Sequence, residues 1–153
     1  MTIIIESPQK AFTLHPEGGP FPAVVSEVTL HENVQTQYGP KDRLRIVFQT
    51  NQLARDFVDD VIDERPMTVT LFTNSTLNVR SRLRELVGQQ VSNDRLAAIL
   101  SDSKGIDIKS LLIGTQWLLT VKHEEANGRT YANIKSTMKA PEGQHMTPWT
   151  SDF

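Results

Sequence analysis

From Gly114 to Lys139 two alternating runs of apolar and polar residues flank Asn127-Gly128, a pair favoured where both central residues of a two-residue turn need positive φ. Setting Ala126 opposite Arg129 predicts Val121 opposite Ile134 and Trp117 opposite Met138, with His123, Ala132, Leu119 and Ser136 on the same, core-facing side. The other side then carries Leu118, Thr120, Lys122 and Glu124 against Thr137, Lys135, Asn133 and Tyr131, because side chains alternate with period two. A mostly polar face with two lysines and a tyrosine is open to a partner.

The same alternation predicts three earlier strands. Over residues 23–31, Val24, Ser26, Val28 and Leu30 alternate with Val25, Glu27, Thr29 and His31, which suits a half-buried strand with Ser26 as its one polar inward position. Thr36-Gln37-Tyr38-Gly39-Pro40-Lys41 has the chemistry of a hairpin loop. Beyond it, over 42–49, Leu44, Ile46 and Phe48 point one way and Arg43, Arg45 and Val47 the other. Met67, Val69 and Leu71 face inward from a third strand, leaving Thr68, Thr70 and Phe72 outside; Phe72 is a large aromatic to leave in water. Residues 50–65 are acidic and irregular, with one helical turn expected within 57–62.

A helix is expected after the third strand, capped by Ser75 or Thr76, with Val79, Leu83, Leu86 and Val87 as one stripe and Gly88 as its stop. Residues 92–100 and 107–112 predict two more short helices. Pro8, Pro16, Gly18, Gly19, Pro20 and Pro22 make residues 7–22 irregular, so residues 1–20 read as a lead-in to the barrel, in which Ile3 to Ile5 suggest a short edge strand. Residues 140–153, with Pro141, Gly143 and Pro148, read as a flexible or extended arm.

Three strands, a helical insert and two more strands over residues 21–139 give the element order of a mainly β, five-stranded OB-fold barrel, the oligonucleotide- and oligosaccharide-binding architecture. An α+β sheet with helices on one face is the alternative. The barrel is preferred because only the third-to-fourth connection is helical, which leaves little room for parallel βαβ units.

At 153 residues the chain is long enough for one domain with a real core. It has no cysteine, which excludes a disulfide framework and thiolate metal sites and is compatible with a cytoplasmic protein. The first residues carry no basic segment followed by a long apolar run, so neither a signal peptide nor a membrane span is expected. With 16 basic against 18 acidic residues the net charge is −2, so bulk charge cannot hold nucleic acid and distribution must. Asp56, Asp59, Asp60, Asp63 and Glu64 cluster in one connection; Lys41, Arg43 and Arg45, then Arg80, Arg82 and Arg84, form basic groups elsewhere.

No phosphate loop, nucleophile elbow or zinc-protease motif occurs, and no enzymatic activity is expected. His15, His31, His123 and His145 lack ligand-like spacing, and the acidic run lacks the pattern of a calcium loop, so no metal or cofactor is expected. Tyr38 beside Lys41, Arg43 and Arg45 interleaves an aromatic with cations, the combination that stacks bases and contacts phosphates of single strands. In a five-stranded barrel the loops after strands one and four, here 35–42 and 124–130, flank the groove. That groove would collect Tyr38, Lys41, Arg43, Arg45 and Phe72, with Lys122, Arg129, Tyr131 and Lys135 nearby. An ordinary polar sheet face with a turn tyrosine accounts for the same residues.

Thr36 to Lys41 with the basic strand after it, Asn78-Val79-Arg80 with Leu83 and Gly88, and Gly128-Arg129-Thr130-Tyr131-Ala132-Asn133-Ile134 together resemble a phage and prophage family of small barrel proteins. Members are regarded as single-stranded-DNA-binding or replication accessory proteins. The resemblance implies single-stranded DNA binding with low sequence specificity in phage DNA replication or recombination, in the host cytoplasm. It implies no mapped site, and the longer acidic connection and the helix over 92–100 depart from it. The other function to weigh is a protein-interaction barrel that docks a phage or host protein without nucleic acid. Independently, Trp149, Asp152 and Phe153 end the chain in a way that resembles the tips of bacterial single-stranded-DNA-binding proteins, though with one acid rather than a cluster, which suggests docking of replication or recombination proteins; Trp149 packing back on the barrel or on a second subunit is the alternative. An exposed strand edge and this arm suggest a homo-oligomer.

Overall fold

The computed structural model describes residues 14–37, 39–75, 77, 81–102, 105 and 107–150. In chain order they form β1 (Gly18–Thr36), β2 (Gly39–Leu53), β3 (Pro66–Asn74), α1 (Arg82–Gln90), α2 (Asn93–Ser101), α3 (Ile108–Leu112), β4 (Gln116–Ala126) and β5 (Arg129–Lys139), with a 3-10 turn at Ala54–Asp56 after β2. The expected edge strand at Ile3 to Ile5 lies outside the described residues. The strands make one five-stranded antiparallel sheet in the order β3-β2-β1-β4-β5. Among the described residues no ladder joins β3 to β5, so the sheet is open.

β1 hands over from one neighbour to the other: Gly18 to Val24 pair with β4, and Ala23 to Thr36 pair with β2. The glycines and prolines expected to keep this stretch irregular instead sit inside the strand. Pro20 falls within the register shift between Gly18 and Phe21, where the ladder needs no N–H. Gly19 has φ +118, and a Cβ there would meet the Leu119 carbonyl oxygen at 2.5 Å, so the close approach of β1 to β4 requires glycine.

The inward faces of β2 and β3 are the expected ones. Leu44, Ile46, Phe48, Met67 and Val69 are buried, whereas Phe72 is 49% exposed. In β1 the expectation fails at one residue. A bulge leaves Ser26 unpaired between Val25 opposite Phe48 and Glu27 opposite Val47, so Ala23 and Val25 enter the core in place of Val24 and Ser26, while Val28 is buried as expected and Leu30, on the same side, is exposed. Ser26 Oγ donates to the Val47 carbonyl at 3.3 Å.

The first hairpin is also tighter than expected, with Thr36 opposite Gly39, so its strands run into what reads as a loop. In the second hairpin Ala126 pairs with Arg129 and Val121 with Ile134 as expected, and Asn127 and Gly128 have φ of 53 and 76. Past that point a bulge at Lys135 shifts the register by one. Trp117 therefore pairs with Lys139 and Leu118 with Met138, and Thr137 rather than Ser136 is buried beside Leu119.

The helices close over the inner face of the sheet. Ser81 caps α1 by accepting from the Arg84 N–H, later than the cap expected at Ser75 or Thr76; Thr76 and Val79 lie outside the described residues. Gly88 sits inside this helix rather than ending it, and Leu83, Leu86 and Val87 pack on Phe48, Trp117 and Leu119. Ser92 and Asp107 cap α2 and α3 where the sequence suggests, and α3 adds Leu112 to the core. At the end of α1, Gln89 exchanges hydrogen bonds with Thr137 of β5, and Gln90 donates to the Gln116 carbonyl of β4. No described helix is long and apolar enough to cross a membrane.

Just before β1, His15 is buried with Nδ1 at 3.0 Å from the Pro16 carbonyl and Nε2 at 2.6 Å from Thr50 Oγ1. The Pro16 carbonyl needs a donor, so Nδ1 carries the proton and Thr50 donates to Nε2. Burial holds His15 below its ordinary value of 6.5. The unfolded chain therefore takes up the proton first, and stability is full above that value and falls as pH drops through it toward the lower folded value. Urea midpoints between about pH 5 and pH 8 should show this slope, and His15→Gln should remove it.

Candidate nucleic-acid interface

The outward face of the sheet is divided in two. Val24 faces outward yet is fully buried, flanked in register by Gln49 of β2 and Gln116 of β4. Each glutamine clamps the backbone of the C-terminal segment. Gln49 donates to the Trp149 carbonyl at 2.9 Å and accepts from its N–H at 2.6 Å. Gln116 does the same for Met146 at 2.8 Å each way. The chain between them crosses over Val24, and the Gln144 amide adds bonds to the Ala23 and Trp117 carbonyls. Residues 140–150 are therefore an extended strap on the sheet rather than a flexible arm. The Trp149 ring lies 5.6 Å from the Arg65 guanidinium. This partner-docking candidate is engaged by its own chain; Asp152 and Phe153 lie outside the described residues. Gln49→Ala removes two hydrogen bonds at once and should cost about 1–3 kcal/mol of stability, measured by urea unfolding.

The other half of this face holds the expected cations, and His31, Lys41, Phe72 and Asn74 on it are exposed. Cross-strand neighbours place His31, Arg43 and Asn74 in one row and Thr29, Arg45 and Phe72 in the next, with Lys41 following on the same side of β2. Phe72 meets the His31 ring at 6.3 Å and 60°. Arg45 reaches Glu27 at 3.2 Å, a half-exposed pair worth about 0–1 kcal/mol that a phosphate can displace. Arg43 Nε is buried and, among the described residues, has no hydrogen-bond partner. A buried donor left unmade costs about 1–3 kcal/mol. Tyr38 lies outside the described residues.

The candidates from the second hairpin do not all join this row. Lys122 and Lys135 line a shallow hollow with Glu17 and Gly18. Arg129 is exposed beside the turn, opposite Ala126. Tyr131, 43% exposed, lines a cavity of about 630 Å³ between β3 and β5 together with Phe72. His31, Asn74 and Asn133 were not anticipated as site residues. Their signal is positional only, in register with Arg43 or Lys122, and a bulge between His31 and Val34 hides that register from counting.

Among the described residues no group of three or more His, Asp or Glu could hold a metal ion. The acidic connection is tied by its own arginines: Arg65 chelates Asp63 at 2.8 and 2.7 Å, holding that carboxyl below its usual range, and Arg55 reaches Glu64 at 3.8 Å. No family model, curated protein or solved structure matches the chain.

Proposed function

We propose that this protein is a non-enzymatic module that binds single-stranded DNA on the half of the β1–β2–β3 face that carries Arg43, Arg45 and Phe72, serving phage replication or recombination in the host cytoplasm. The observation that carries this reading is Arg43 Nε, buried and without a hydrogen-bond partner among the described residues, one row away from an exposed Phe72. A guanidinium nitrogen without an acceptor and a half-exposed ring are groups that the phosphate and the base of a nucleotide can engage. The strand order further suggests an OB-type barrel left partly open, because a pairing of β3 with β5 would close it.

Fluorescence titration of an oligothymidylate at two salt concentrations tests the proposal. Affinity should fall with salt at a slope of about −0.7 per phosphate contacted. No binding at low salt refutes it. A protein-interaction barrel is the second reading, favoured by Met138 and Tyr131 exposed on β5, an edge strand open to pairing with another chain. It also supplies the route to a homo-oligomer, for which light scattering should show more than one subunit.

A further inference from the structure

β3 and β5 are the outer strands of the sheet, and they approach within 8 Å Cα to Cα without a ladder among the described residues. The cavity of about 630 Å³ lies along this seam, within the range of about 300–1,000 Å³ usual for ligand clefts. Phe72 lines one wall and Tyr131 the other. Thr68 and Thr70 of β3 and Asn133 of β5 add hydroxyls and an amide to the same cavity, and Met67 and Val69 add apolar surface.

We propose that this seam is a subsite for one unstacked nucleobase of the bound strand, and that it discriminates between bases; the inference rests on the single-strand reading above. A flat ring fits a cleft whose opposite walls each offer an aromatic side chain. The edge of that ring carries donors and acceptors, which an amide and two hydroxyls can answer in kind. Charge sets the orientation. The wall at Val58 belongs to the connection bearing Asp56, Asp59 and Asp60, whereas Arg45 is the β2 neighbour of Phe72. Phosphates are repelled from the first side and held on the second, so the backbone follows β2 and a base turns into the seam. An Asn133 amide buried against a mismatched edge loses its solvent hydrogen bonds without replacement, and that loss produces discrimination.

The test uses the full chain and labelled homopolymers of about 12 nucleotides. Thymidylate, cytidylate and adenylate strands should differ in affinity by about fivefold or more, and Asn133→Ala should level them. Tyr131→Ala should weaken every strand by about 5- to 150-fold, and Tyr131→Phe should restore binding. An iododeoxyuridine strand should photo-crosslink to Phe72 or Tyr131. Tight binding with equal affinities, unaffected by Tyr131→Ala and crosslinked only to β2, overturns the subsite and leaves the function reading standing. No binding of any strand removes both.

Discussion

Replacing Trp117 by alanine is expected to cost about 3–5 kcal/mol of folding stability. The side chain is fully buried on β4, pairs with Ala23 of β1, and meets the Phe48 ring of β2 edge-on at 5.9 Å and 89°. One ring thus joins three adjacent strands. It also carries the connection from the helices, because Nε1 donates to Thr115 Oγ1 at 2.8 Å and Thr115 Oγ1 donates to the Leu112 carbonyl at the end of α3. Alanine would leave a cavity between sheet and helices and cut that connection. Trp117→Phe keeps the edge contact and loses only the indole hydrogen bond, so its cost should be smaller, about 1–3 kcal/mol. Urea unfolding followed by far-UV circular dichroism measures both without relying on the ring that is removed. Equal losses for the two variants would mean that the hydrogen bond, rather than the ring volume, carries the contribution.

Alternation placed Ile46, Phe48, Val69, Leu119 and Val121 correctly, because each lies in a stretch where period two runs unbroken. It failed at Ser26 and Lys135, where an extra residue reverses the faces beyond it. A bulge leaves no mark in composition, and both sides of Ser26 read equally well as inward. The run Ala23-Val24-Val25 was ambiguous for a second reason: Val24 is apolar because the strap covers it from outside. That strap was illegible as a docked element, since its contacts are glutamine amides on backbone groups and hydropathy does not register them. At the site, the shared face of Arg43, Arg45 and Phe72 followed directly from alternation within single strands. The placing of Phe72 and Tyr131 on one cavity did not, because it depends on how far the sheet curls, a property of all five strands together.

The double variant Arg43→Ala, Phe72→Ala should weaken single-strand binding by about 2–5 kcal/mol, somewhat less than the sum of a charge-assisted contact and a stacked base. Phe72 lies opposite Arg45, and Arg43 is two residues further along β2 on the same face. They are close enough to serve adjacent parts of one nucleotide, so their effects should not add fully. The single variants separate the roles. Arg43→Ala should lower the salt slope by about 0.7, because one phosphate contact is lost. Phe72→Ala should lower affinity equally at every salt concentration, because stacking releases no counterion. Arg43→Ala also removes a buried donor that has no partner among the described residues, so it should leave the urea midpoint unchanged or raised while binding weakens. A residue kept for the fold would lose stability on replacement; one kept for a ligand shows this opposite pairing, and a fall in both quantities would assign Arg43 to the sheet instead.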